Sequence, residues 1–242
     1  MTFCLGIKIK DGIIGISDTR ITSGRECTNS RKVTVFKKRN HSMFIMTSGL
    51  RSLRDKALAY FEEAIEEDDE SFDKLYKAIN AFSRQIRRVC EEDKEYLVES
   101  GMHFDIHCIV GGQLQKDEEH KLFLLYPQGN WVEIKEGSPY QIIGATGYGK
   151  PVLDRTLKYN DDLFHALKVG ILAFDSTRIS TNDVDFPIDV TICLKDKFDI
   201  REFRVFKEDL QKISSWWQEK LRQSVNEIPT EELQRIISQL KQ

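Results

Sequence analysis

The chain has 242 residues, of which 40% are hydrophobic and 31% are charged, and its formal net charge is −3. A chain of this length can bury a sizeable core, and it lacks the basic excess that favours binding to the phosphate backbone of nucleic acids. We find no signal-peptide segment and no apolar run near the ~20 residues that span a bilayer, so we expect a cytoplasmic protein that binds neither membrane nor nucleic acid.

The first half of the sequence begins with short apolar runs and then changes to a helical period. Asp11-Gly12 between two apolar runs is a hairpin signal, and a polar loop is predicted over residues 21–30. The predicted strands cover residues 3–9, 12–18, 32–36 and 43–49. Apolar residues at helical spacing then predict helices over 50–66 and 72–99, the second capped by Ser71.

The second half returns to strands and ends in helices. Strands are predicted over 104–111, 121–126, 130–134, 140–143, 188–194 and 200–205, and helices over 149–158, 162–175, 208–225 and 230–240. Runs of strands followed by helix pairs indicate antiparallel sheets covered by helices, an α+β fold. We detect no linker, so residues 1–242 are predicted to form a single domain with 208–242 as a C-terminal helical extension.

No cofactor or metal site is predicted from the side chains. The five cysteines are odd in number and widely spaced, which fits neither a disulfide framework nor a zinc site. His103 and His107 have no evident third ligand. The glycine-rich segment 144–149 lacks the Gly-Lys-Ser/Thr ending of a phosphate-binding loop, because Lys150 precedes Pro151. Arg51 and Arg54, on a predicted amphipathic helix, are interpreted as charges on a solvated or subunit-facing surface.

Thr2 directly follows Met1, and an initiator methionine is usually removed when the next residue is small. Removal would leave a hydroxyl and a free α-amine on one residue. Because an α-amine titrates near ~7.7–8.0, its neutral form can accept the proton of the hydroxyl. Many unrelated proteins begin with Met-Thr, so this start indicates little by itself.

The element order, together with this threonine, resembles proteasome β-type subunits and other N-terminal-nucleophile hydrolases. Segments 15–20, 30–36 and 47–50 resemble the places of the family's aspartate, lysine and strand-to-helix glycine. Three further segments, 104–113, 143–155 and 175–189, and the tail with Trp216-Trp217 and Ile228-Pro229, are similar to Anbu, the ancestral beta subunit of bacteria. The resemblance implies a four-layer α-β-β-α sandwich of two antiparallel sheets.

The resemblance also implies roles for four residues near the nucleophile. Thr2 would attack an amide carbonyl, Lys32 would supply a cation beside it, and Asp18 would orient Lys32. Gly49 would offer a backbone N–H to the developing oxyanion. Without the resemblance, Lys32 reads as a solvated strand-edge charge, Asp18 as a turn cap and Gly49 as a turn glycine, and Arg31 is an alternative to Lys32.

Three supporting residues follow from the same resemblance. The family has a Gly-Ser-Gly turn near the threonine, and here Thr146 keeps a hydroxyl whereas Ala145 has none. Asp175 matches a second aspartate, with an ordinary helix-ending carboxylate as the alternative. Ser176, Thr177 and Ser180 all offer the hydroxyl that accompanies this aspartate, and Ser180 is our choice.

The predicted function is therefore a threonine hydrolase that cleaves peptide or protein substrates in a self-assembled homo-oligomer, either a ring or an open helical stack. Since only Met1 precedes Thr2, we expect activation by removal of Met1 alone. Two alternatives stay open: a narrower amidohydrolase acting on small amides, and a non-catalytic scaffold subunit. Retention of Met1 would favour the scaffold.

Overall fold

A computed structural model describes residues 2–23, 26–38, 41–67 and 72–239, and within them the chain forms 12 strands and six helices. The strands are β1 (Phe3–Ile9), β2 (Gly12–Asp18), β3 (Arg20–Ser23), β4 (Glu26–Asn29), β5 (Val33–Lys38), β6 (His41–Gly49), β7 (Ile106–Gln113), β8 (Lys121–Leu125), β9 (Trp131–Glu133), β10 (Tyr140–Gly144), β11 (Ile188–Leu194) and β12 (Ile200–Val205). The helices are α1 (Arg51–Glu67), α2 (Leu75–Glu99), α3 (Lys150–Thr156), α4 (Leu163–Ser180), α5 (Lys207–Asn226) and α6 (Glu231–Ser238).

Two five-stranded antiparallel sheets carry the fold. The first has the order β10-β1-β2-β11-β12 and the second β5-β6-β7-β8-β9, while β3 and β4 form a separate hairpin. In the first sheet Phe3 pairs with Gly144, and Asp18 pairs with Ile188. The register therefore brings the start of β1, the end of β2 and the end of β10 to the same end of the sheet.

Helices cover the outer face of each sheet, and a third apolar layer lies between the sheets. Residues of α1 and α2 pack with the outer face of β6, β7 and β8 in one core. Side chains such as Cys4 and Ile13 meet Phe44 and Ile109 between the sheets. On the other side, α4 lies against β1 and β2. This arrangement confirms the predicted four-layer α-β-β-α sandwich.

Three local predictions differ from the structure. In place of the loop predicted over residues 21–30, strands β3 and β4 pair as a hairpin. The sequence gives no strand signal there, because all four β4 residues are exposed and show no apolar alternation. The first helical N–H of α2, at Leu75, donates to Asp117 Oδ2 at 2.9 Å, a cap 42 residues away that local sequence cannot reveal. The predicted cap Ser71 lies outside the described residues. Helix α4 continues to Ser180, five residues past its predicted end at Asp175.

The chain divides into two compact units, Met1–Phe206 and Lys207–Gln242. The second unit contains α5 and α6, and no residue of α5 is buried. Its apolar side chains are substantially exposed, among them Trp216 at 52% and Ile236 at 60%. Among the residues that the structure describes, no helix has the length and apolar character needed to cross a bilayer.

Candidate active site

A cleft of about 380 Å³ opens where the two sheets meet the start of α1, and Thr2 lies in its wall. Lys32 and Gly49 line the same cleft, together with Gly144 at the end of β10. Thr2 precedes β1, Lys32 precedes β5, and Gly49 ends β6. These residues are far apart in sequence. They meet in the cleft because the two sheets stack with these strand ends at the same end of the sandwich.

Lys32 forms an ion pair with Asp18, a fully buried carboxylate at the end of β2. The Lys32 ammonium lies 2.7 Å from Oδ1 and 2.8 Å from Oδ2, and Lys32 itself is only 5% exposed. Asp18 also accepts the backbone N–H groups of Phe3 at 2.8 Å and Arg20 at 3.1 Å. Burial raises the pKa of the Asp18 carboxyl, while Lys32 and these two donors act in the opposite direction. The pair thus places one oriented cation in the cleft.

The peptide group that joins Thr2 to Phe3 is fixed by hydrogen bonds at both its carbonyl and its N–H. Ala145 N–H donates to the Thr2 carbonyl at 2.7 Å, and the next residue, Phe3, donates to Asp18. Gly144 has φ +86°, and a Cβ built there would collide with the carbonyl of Thr2. Only glycine allows β10 to approach the start of β1 this closely.

We expect Gly144→Ala to displace Thr2 and to destabilise the fold by about 1–3 kcal/mol, since it combines a left-handed backbone with a collision. Gly147→Ala is the matched control three residues on, because no atom lies within 4 Å of the added Cβ. Its effect on the free energy of unfolding should stay within about 0.5 kcal/mol. Chemical denaturation of both variants measures the difference, and equal values would contradict the proposed packing at Gly144.

Gly49 is also required by its backbone. It has φ +122°, and an added Cβ would collide with the carbonyl of Asp105, which accepts the N–H of Leu50 at 3.0 Å. The residue is exposed and lines the cleft. Its role as an oxyanion donor remains a prediction, compatible with its role as the turn between β6 and α1.

Thr146, Asp175 and Ser180 are not among the residues that line the cleft. Thr146 is exposed in the loop after β10. Asp175 lies buried within α4 and pairs with Arg178 at 2.8 Å, so the reading of it as a helix-ending carboxylate is wrong. The Ser180 hydroxyl donates to the Ser176 carbonyl at 2.8 Å on the exposed end of α4. Supporting roles for these three residues remain predictions.

Cys4, on β1, does not offer a competing nucleophile. Its side chain is fully buried, and burial raises the pKa of the thiol far above its ordinary value. A thiol in this state stays protonated at neutral pH, and only the thiolate is a strong nucleophile. Across the described parts of the chain, no group of three or more His, Cys, Asp or Glu side chains is placed to hold a metal ion.

Sequence reasoning missed the arginines of the cleft. Helical spacing predicts a solvated or subunit-facing surface for Arg51 and Arg54, and the structure adds that both line the cleft, as does Arg20 from β3. The signal was available in part: Arg51 follows Gly49 by only two residues, so it must lie at the strand-to-helix turn where Gly49 lies. Arg20 could not be placed without the hairpin β3–β4.

Comparison with known proteins gives a consistent result. The proteasome subunit family model matches residues 2–192. The structure is similar to an Anbu (Gly-1) mutant from Hyphomicrobium sp. strain MC1, with TM-score 0.86 and 28% identity over 94% of this chain and 99% of that one. Anbu from Yersinia bercovieri has TM-score 0.86 and 25% identity, covering 94% and 97%.

The structure of the helical assembly of the Anbu complex from Pseudomonas aeruginosa is similar as well, with TM-score 0.87 and 25% identity over 94% of this chain and 97% of that one. No curated protein matches the sequence. The resemblance to Anbu inferred from sequence segments is thus confirmed over most of the chain.

Proposed function

Because this chain belongs to the proteasome subunit family, we propose that it hydrolyses peptide bonds with Thr2 as its nucleophile once Met1 has been removed. The observation that carries the proposal is the cleft in which Thr2 and Lys32 lie together, with Lys32 fixed by the buried carboxylate of Asp18. A hydroxyl needs both a proton acceptor and a nearby positive charge to act as a nucleophile.

In the first half of the reaction, the neutral α-amine of Thr2 accepts the hydroxyl proton as Oγ attacks the substrate carbonyl. The C–O bond forms, and the carbonyl oxygen becomes an oxyanion that the N–H of Gly49 would stabilise. The α-ammonium then returns the proton to the leaving amine, the C–N bond breaks, and an ester with Thr2 remains. A water molecule hydrolyses this ester by the same proton path.

Lys32 acts here as an electrostatic residue. Its ammonium favours the developing alkoxide and disfavours protonation of the neighbouring α-amine, so the base is available at neutral pH. A lysine in solution would move among many rotamers. The two contacts with Asp18, at 2.7 and 2.8 Å, hold this one in place.

The proposal is tested by intact mass and by covalent labelling. Protein from a bacterial host should lack the mass of Met1, and a peptidyl β-lactone should add its whole mass to Thr2, because opening of the lactone ring releases no fragment. Digestion and tandem mass spectrometry locate the ester. A protein that retains Met1 and stays unlabelled would favour the non-catalytic scaffold, whereas labelling by small lactones alone would favour the small-amide hydrolase.

We further propose that the active form is a homo-oligomer. The support is the overall likeness to the Anbu complex whose helical assembly is described for Pseudomonas aeruginosa. The exposed apolar side chains of α5 and α6, such as Trp216 and Leu233, agree with a buried position for this unit in an assembly.

A further inference from the structure

The charged residues in the wall of the cleft are nearly all cationic. Arg20, Lys32, Arg51 and Arg54 line it, whereas Asp105 is its one acidic lining residue in the described chain. Asp105 lies 3.0 Å from His107 Nδ1. A substrate in the cleft therefore meets an excess of positive charge.

The partners of these cations lie outside the cleft wall. Lys32 is paired by Asp18, and Arg20 contacts Asp185 at 3.1 Å. Arg51 and Arg54 share a single carboxylate, Asp55, at 3.2 and 2.7 Å. One carboxylate thus serves two guanidinium groups, which leaves donors in excess at the start of α1, since each guanidinium has five N–H donors.

Arg51 and Arg54 differ in how firmly their side chains are held. Arg54 is only 12% exposed and donates from Nη1 to the Arg31 carbonyl at 3.0 Å, so its side chain is fixed. Arg51 is 61% exposed, and within the described part of the chain its ion pair is with Asp55. A surface ion pair of this kind is weak and can exchange its acidic partner at little cost. Arg51 is therefore available to bind a ligand. Arg54 stays in place and adds its positive charge to the electrostatic potential of the cleft.

We infer that the cleft selects substrates with an acidic side chain, Asp or Glu, on the acyl side of the bond that Thr2 attacks, with Arg51 as its main contact. A guanidinium donates two parallel hydrogen bonds to the two oxygens of a carboxylate, and the opposite charges strengthen both bonds. A neutral amide has a single oxygen and no negative charge, so it binds a guanidinium less strongly. The inference rests on the proposed function, because it assigns the substrate of the same cleft.

The test compares acylated tetrapeptides that end in Glu or Gln and carry an aminocoumarin leaving group. Glu and Gln have the same shape, and the leaving group removes the C-terminal carboxylate as a second source of negative charge. We expect kcat/KM for the Glu peptide to exceed that for the Gln peptide by about tenfold at low salt, and the ratio to fall as salt screens the exposed arginine.

In Arg51→Gln the Glu/Gln ratio should fall to about one, and in Arg51→Glu it should fall below one. Arg88→Gln is the matched control, since Arg88 also pairs with an acid four residues on, Glu92, and does not line the cleft. A ratio near one in the unmodified protein, or one that Arg51→Gln leaves unchanged, overturns the inference while the hydrolytic function stands.

If the protein cleaves neither peptide, binding decides the inference independently of the hydrolytic function, which intact mass and lactone labelling test. Fluorescein-labelled tetrapeptide amides ending in Glu or Gln would be titrated against the full-length protein by fluorescence anisotropy. Tighter binding of the Glu peptide that Arg51→Gln abolishes supports the acidic preference. Equal affinities overturn it.

Discussion

Thr2→Ala should lower the rate of peptide hydrolysis by a factor of roughly 10⁴ or more, to the background of the assay, because the variant keeps the α-amine and loses the attacking oxygen. The fold should be unaffected, since the hydrogen bonds next to this position use the Thr2 carbonyl and the Phe3 N–H and not the Thr2 hydroxyl. Release of aminocoumarin from a peptide under saturating conditions measures the effect.

Thr2→Ser is the matched control for this variant. It keeps a hydroxyl at the same atom position and removes only the methyl group, so measurable hydrolysis should remain. An alanine variant as active as the unmodified protein would show that another group performs the attack. Unfolding curves of both variants should superimpose on that of the unmodified protein.

Lys32→Met should be costly in both stability and activity. It removes one partner of a buried ion pair and leaves Asp18, which is fully buried, with its charge compensated only by two N–H groups. Removing one partner of such a pair costs about 3–5 kcal/mol. Urea denaturation followed by circular dichroism measures the loss, and the peptide assay at a temperature where the variant is folded measures activity.

The double variant Lys32→Met/Asp18→Asn separates the two effects. A neutral amide can still accept one of the two N–H groups, that of Phe3 or that of Arg20, with its single oxygen, and no unpaired charge stays buried, so part of the lost stability should return. Activity should not return, because the cation beside Thr2 is absent. Recovery of hydrolysis in the double variant would mean that Lys32 serves the fold alone.

The fold was largely predictable because its strands and helices have clear apolar periods. β1 and β2 match their predicted bounds, since both are largely apolar runs separated by Lys10-Asp11. The hairpin β3–β4 and the start of α2 were not predictable in the same way. The first lacks a buried face, and the second depends on Asp117, a contact set by the tertiary fold.

The candidate site was predictable only through resemblance. Nothing in the segment around Lys32 distinguishes this lysine from Arg31, Lys37 or Lys38, and its burial follows from the approach of Asp18 on another sheet. The arginines of the cleft show the opposite case. Their helical spacing is typical of a solvated surface, and only the position of the turn at Gly49 brings Arg51 to the cleft.

The hydrogen bonds next to Thr2 have a consequence for its motion. Free chain ends are commonly the most mobile part of a domain, and a nucleophile on such an end would sample many unproductive positions. Here the strand that follows Thr2 lies between β2 and β10, and Ala145 binds the Thr2 carbonyl itself. On the proposed function, the entropy of positioning Thr2 is therefore lost during folding and not at each turnover, which would raise the effective concentration of its hydroxyl at a bound carbonyl.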